Sequence, residues 1–211
     1  CIRDRLIPAT SLTLNLGVTF IGMINFWRAG HGRIDLVAPF LITSIPMSYL
    51  GGSVKLPELI FEIILTMTLI LVISRIYFFD RLAFTYQLSN IEKWLLAIFL
   101  GSFLGFIAGA VGIGGGIYLV PLIIMFGLGT TKEASAAGAM FIWFNSLAGL
   151  LPRLQSGTYD IKFITPLVFA VLIGGFVGSY FGSIRFESIF IQKIMGAVII
   201  LAIFFLIQRI V

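Results

Sequence analysis

The residues best suited to chemistry in this chain are four glycines, Gly112, Gly114, Gly115 and Gly116, set in the run GAVGIGGGIYLVPLIIMFGL. Three consecutive glycines weaken a helix by about 3 kcal/mol relative to alanine, so a helix running into them should break. Amides left free at such a break, with no side chain to hold a ligand away, suit an oxyanion. A helix restarting after the break would add the positive end of its dipole, and Pro121 would fit the first turn of that helix, where its missing amide hydrogen costs little. A second group is polar but neutral: Thr10, Ser11, Thr13, Asn15 and Thr19 in one apolar run, and Ser135, Asn145 and Ser146 in another. Such groups can donate hydrogen bonds to an anion. Ser and Thr also bond their own helix backbone, and Asn also bridges helices, so each residue alone has a structural reading beside the functional one.

Other chemistries fit poorly. A phosphate loop is disfavoured because the run before the glycines has transmembrane length and no lysine follows in the P-loop position. The chain has one histidine, His31, outside the apolar runs, and one cysteine, Cys1. Neither a metal centre nor an intramembrane enzyme with HExxH or paired aspartates is expected, so the reading has no catalytic residue, no metal and no cofactor. Charges avoid the centres of the apolar runs: Glu58, Glu62, Arg75 and Lys193 all lie near run ends, where snorkelling explains them. The net charge of +5 sits between the runs, as at bilayer surfaces, and forms no nucleic-acid footprint. Arg5 and Lys132, at the entrances of the two polar-spotted runs, are candidates for attracting an anion, with interfacial anchoring as the alternative.

The elements that must carry these residues follow from hydropathy. Hydrophobic residues make up 59% of the 211 and charged residues only 11%, which places the chain in a membrane. Apolar runs near 6–27, 36–54, 58–79, 94–113, 133–151, 163–183 and 189–208 predict seven spans. Residues 94–128 form one apolar path of about 52 Å if helical, against a hydrocarbon core of about 30 Å, so it must bend or re-enter. The twelve residues 117–128 predict a half-helix. Ser89 with Glu92 and Thr130 with Glu133 have the spacing of capping boxes.

A duplication is visible at an offset of 127: Gly22 matches Gly149, Gly30 matches Gly157, Pro39 matches Pro166, Gly51 matches Gly178, and Arg5 matches Lys132. This predicts an all-α polytopic membrane protein of about seven spans plus a half-helix. Its two repeats, 1–88 and 89–211, together form one membrane domain with the site between them. Residues 94–130 lack a partner, whose place would precede Cys1. If 94–128 cross the bilayer once net, eight of the 14 basic residues fall on one side. That count favours parallel repeats with the RAGHGRID loop cytoplasmic.

The stretch GAVGIGGGIYLVPLIIMFGLGTTKEASAAG resembles the signature of the sulfite exporter TauE/SafE family: GxGGG, a short apolar spacer, VP, a glycine, then an alanine- and serine-rich helix start. IPATSLTLNLGVTFIGMINFWRAGHGRID resembles the segment after that family's first glycine motif, including ATS and the G…ID loop. The resemblance implies about eight spans in two halves, so that this chain would lack the first span and first glycine motif. It also implies transport of sulfite, organosulfonates or related sulfur-containing anions across the inner (cytoplasmic) membrane. Alternating access is the expected mechanism, with a passive anion channel as the alternative. The partners are a small anion and the lipid bilayer, and a homo-oligomer stays open.

Overall fold

A computed structural model describes residues 2–54, 90–155 and 161–185, with isolated positions in 63–74 and 193–208. The expected spans 58–79 and 189–208, with Glu58, Glu62 and Arg75, fall largely or wholly outside the described residues, as does the Ser89 cap. The described part is helical: α1 (Ile2–Arg28), α2 (Ile34–Ser53), α3 (Asn90–Val111), α4 (Gly116–Met125), α5 (Thr131–Gln155) and α6 (Ile161–Ile184). All but α4 contain a stretch long and apolar enough to cross a membrane, which makes this a polytopic helical membrane protein.

Local chemistry sets the ends. At α1's C-terminus Gly30 adopts φ +81°, and the amides of Gly30 and His31 donate back to Trp27 and Phe26 carbonyls, closing the helix with a left-handed glycine. The predicted box opens α5. The Thr130 amide donates to Glu133 Oε2 at 2.7 Å, and the Glu133 amide donates to Thr130 Oγ1 at 3.3 Å. Glu133 also meets Arg33 at 3.6 Å, tying the start of α5 to the loop before α2. Asp35 accepts a further bond from Arg33 at 2.6 Å, which raises the guanidinium's already high pKa and fixes its charge.

Contacts along the helices fix their directions. The stripe Gly101, Gly105, Gly109 of α3 lies on Phe40, Ser44 and Ser48 of α2 in the same order, so these two helices run parallel. A Cβ at Gly105 or Gly109 would overlap the Ser44 or Ser48 carbonyl oxygen. This is close packing through small residues, as the GxxxGxxxG spacing predicts. α2 also runs parallel to α5, with Ser44 and Ser48 at Asn145 and Gly52 at Gly149. α1 runs parallel to α6, with Gly17 at Leu172 and Gly22 at Ser179. α1 opposes α5: Phe20 meets Trp143 and Gly22 meets Ala139.

Two expectations are corrected by these contacts. α3 begins on the side where α2 and α5 begin, and after the glycines α4 returns to it, because Gly129 lies beside Leu36 and Glu133. Residues 90–128 therefore start and finish on one side. With α1 antiparallel to α5, any repeat relation is inverted, not parallel. The basic residues divide accordingly, with Arg28, Arg33, Lys93 and Lys132 at one face and Arg3, Arg5 and Lys162 at the other, so their count no longer orients the chain. The second correction concerns α4, which starts at Gly116 and has 10 residues. Pro121 is its sixth residue, not part of its first turn, so the Ile117 carbonyl loses its helical amide partner.

Gly109→Ala is expected to fail at the level of folding. Overpacking typically costs about 1–3 kcal/mol, and here the added carbon meets backbone, the Ser48 carbonyl and the Gly52 amide, which cannot rotate away. Size-exclusion profiles of detergent extracts should show aggregated or missing protein. A monodisperse variant of normal yield would contradict the packing described.

Candidate functional site

The break predicted at the glycines is present. Gly112, Gly114 and Gly115 have φ of +82°, +79° and +75°, a left-handed conformation that L side chains adopt only at a cost. Gly115 caps α4, and its carbonyl accepts from the amides of Tyr118 and Leu119. The amides of Gly114, Gly115, Gly116 and Ile117 have no hydrogen-bond acceptor among the described residues, as the first turn of a helix dictates. The four glycines are buried between α1, α3 and α5. Gly116 packs on Ile142 and Gly138, and Val120 packs on Gly138, so α4 runs antiparallel to α5 from near its midpoint outward.

Gly114 is where the polar residues gather. A Cβ there would lie 2.5 Å from Ile142 Cγ2, 2.9 Å from Ser146 Oγ and 3.3 Å from Asn15 Nδ2. Ser146 is fully buried, and both Ser146 Oγ and Asn15 Nδ2 lack a hydrogen-bond partner. Buried polar atoms are rarely left so, and a missing partner costs about 1–3 kcal/mol. Two unsatisfied side-chain donors thus stand beside the N-terminus of α4, groups of the kind that hydrogen-bond an oxyanion.

Thr10, Ser11 and Asn15 also line a cleft of about 510 Å³ between α1 and α6, closed on the other side by Phe163, Leu167 and Val171. Asn15 therefore forms the wall between cleft and glycine break. At the 127-residue offset this lining matches α4's own seat, with Ser11 corresponding to Gly138, Asn15 to Ile142, Phe163 to Leu36 and Leu167 to Phe40. The cleft on α1 and α6 thus stands where α4 stands on α5 and α2.

The remaining candidates divide. Gly112 is a close-approach point, since a Cβ there would lie 2.8 Å from Cα of Pro8. Thr13 and Thr19 donate to the carbonyls of Ala9 and Asn15, one turn back in α1. Ser135 donates to Thr131 at 2.8 Å and lies 11 residues from Ser146, about 16 Å along α5, so it is not brought to the break. Arg5 and Lys132 lie at the starts of antiparallel helices, hence at opposite membrane faces.

Asn145 turns toward α2. Its amide donates to Ser44 Oγ at 3.0 Å and Phe141 O at 2.8 Å, while Ser48 Oγ donates to the Asn145 carbonyl at 2.7 Å. Adjacent helical residues point about 100° apart, which is why Asn145 ties helices and Ser146 faces the break. The Asn145 Oδ1 has no donor.

Ser44, Ser48 and Arg153 escape the sequence reading. The two serines carry a usable signal, since both lie four residues apart in an apolar run. Arg153, just beyond the predicted run 133–151, belongs to the last turn of α5.

The sulfite exporter TauE/SafE family model matches residues 3–206. The chain is similar to "Probable membrane transporter protein y4hK" of Sinorhizobium fredii (strain NBRC 101917 / NGR234), 32% identical over 200 residues that cover 93% of this chain and 80% of that protein. No solved structure matches.

Proposed function

Starting from a chain that belongs to the sulfite exporter TauE/SafE family and is a multi-pass membrane transporter, we propose that it carries a sulfur-containing oxyanion through the break at Gly114. The observation that carries this reading is that Asn15 Nδ2 and Ser146 Oγ, both buried and unpartnered, lie together at Gly114, next to the start of α4. A tetrahedral oxyanion would supply acceptors to all three, and the positive end of α4 would favour its charge. The family's name supplies the sulfur chemistry.

The protein works as a carrier by alternating access across the inner membrane. Among the described residues the glycines are packed under α1 and α5, so an anion reaches them when Asn15 and the α1–α6 pair move. The two halves, 1–88 and 89–211, rearrange about α1 and α5. Element order supports that division, since α1 and α2 follow one another in the first half as α5 and α6 do in the second. The reciprocal packing of α1 on α6 and α2 on α5 adds to this. It suits inverted repeats with a midplane site.

Counterflow in proteoliposomes tests the carrier. Vesicles preloaded with unlabelled sulfite should take up labelled sulfite faster than empty vesicles. Equal uptake in both, proportional only to the gradient, would indicate a passive pore. No uptake of sulfite, sulfate, thiosulfate or organosulfonates would remove the anion reading.

A further inference from the structure

We propose that Arg153 sets the charge preference of the break by cancelling the negative end of α3, an inference that rests on the anion reading above. α3 ends at Val111, directly before the glycines, and its last carbonyls have no helical amide to bond. Such a helix end carries about −0.5 of an elementary charge, and the start of α4 carries about +0.5. The two ends flank the same break. Left alone they would largely offset each other, and an anion at Gly114 would feel little net attraction.

Arg153 removes that opposition. One guanidinium nitrogen donates to the Gly109 carbonyl at 2.7 Å and to the Ala110 carbonyl at 2.9 Å, so a cationic group sits on the last turn of α3. Such charge-assisted bonds to a helix C-terminus are the favourable arrangement for a cation. The same side chain joins the end of α3 to α5, the helix that presents Ser146. Arg153 lies seven residues beyond Ser146, about 10 Å along the helix, and its guanidinium bonds the end of α3. It is a positioning residue that also shapes the field, not a ligand.

The two roles are separable because Coulomb energy scales with ligand charge. Loss of the positive charge weakens a divalent anion twice as much in energy as a monovalent one, hence by the square of the fold-change. A purely structural role would weaken both alike. Sulfate and methanesulfonate share a sulfur–oxygen head and differ in charge, so their dissociation constants can be compared on the intact protein in lipid nanodiscs.

Arg153→Gln is expected to weaken methanesulfonate about threefold and sulfate about tenfold. Arg153→Lys should leave the sulfate-to-methanesulfonate ratio unchanged even if both affinities drop. Equal weakening of the two anions by Arg153→Gln overturns the inference. If that variant does not fold, Arg153→Met takes its place, and equal weakening of the two anions again overturns the inference. Failure of the unaltered protein to bind either anion would instead remove the underlying anion site.

Discussion

Gly114→Ala is expected to abolish anion transport in a protein that still inserts and remains monodisperse. The added carbon falls between the two unpartnered donors, 2.9 Å from Ser146 Oγ and 3.3 Å from Asn15 Nδ2, in the space a ligand oxygen needs. It also forces a residue with a side chain into φ +79°, at about 1–2 kcal/mol. Its closest neighbour, Ile142 Cγ2 at 2.5 Å, is a methyl of a β-branched side chain and must shift with it, so a monodisperse profile is the control that separates lost binding from lost packing. Losing about 3 kcal/mol of anion binding corresponds to more than a hundredfold in affinity. Uptake of labelled sulfite into proteoliposomes at matched protein content reads this directly, and a rate within threefold of the unaltered protein would remove Gly114 from the site. Gly115→Leu should abolish transport too, but its side chain would grow toward Ala108 and Phe141, so it tests packing more than anion approach.

Asn15→Leu and Ser146→Ala are expected to move stability and transport in opposite directions. Each removes a buried donor that has no partner. Relieving that penalty should stabilise the anion-free protein by about 1 kcal/mol or more, seen as a rise of roughly 2–4 °C in thermal midpoint for a chain of this size. Transport should fall at least about tenfold, since a hydrogen bond to a charged ligand is worth about 1.5–3 kcal/mol. Added sulfate should raise the midpoint of the unaltered protein more than that of either variant. A variant that loses stability without ligand would mean that its donor is satisfied within the fold, and the donor set at Gly114 would be dismantled. Asn145→Leu provides the contrast: Asn145 holds Ser44 and Phe141 across the α2–α5 contact, so its loss should destabilise the protein.

Asn15 and Asn145 look alike in the sequence, each an amide in an apolar run with serine or threonine nearby. One faces a donor-rich break and the other ties two helices. The difference arises because α1 approaches α5 antiparallel through Phe20, Gly22, Trp143 and Ala139, which brings Asn15 level with Ser146. Ser135 lies away from the break for a similarly non-local reason, since the break meets α5 near its midpoint and not at its start.

What lies within reach of a few residues was settled by the sequence alone. The membrane setting, the helical class, the break at three glycines, the Thr130–Glu133 cap and the close-packing stripe on α3 all follow from hydropathy, backbone freedom and short-range hydrogen bonding. Tertiary structure alone decided the return of α4 to the side where α3 starts, the opposed directions of α1 and α5, the union of Asn15, Gly114 and Ser146, and the reach of Arg153 to the end of α3. Those outcomes depend on which helix surfaces fit together across segments tens of residues apart. Propensity and periodicity fix a helix and its faces, but the neighbour of each face is chosen by packing between whole helices, here through backbone contacts that only glycines permit.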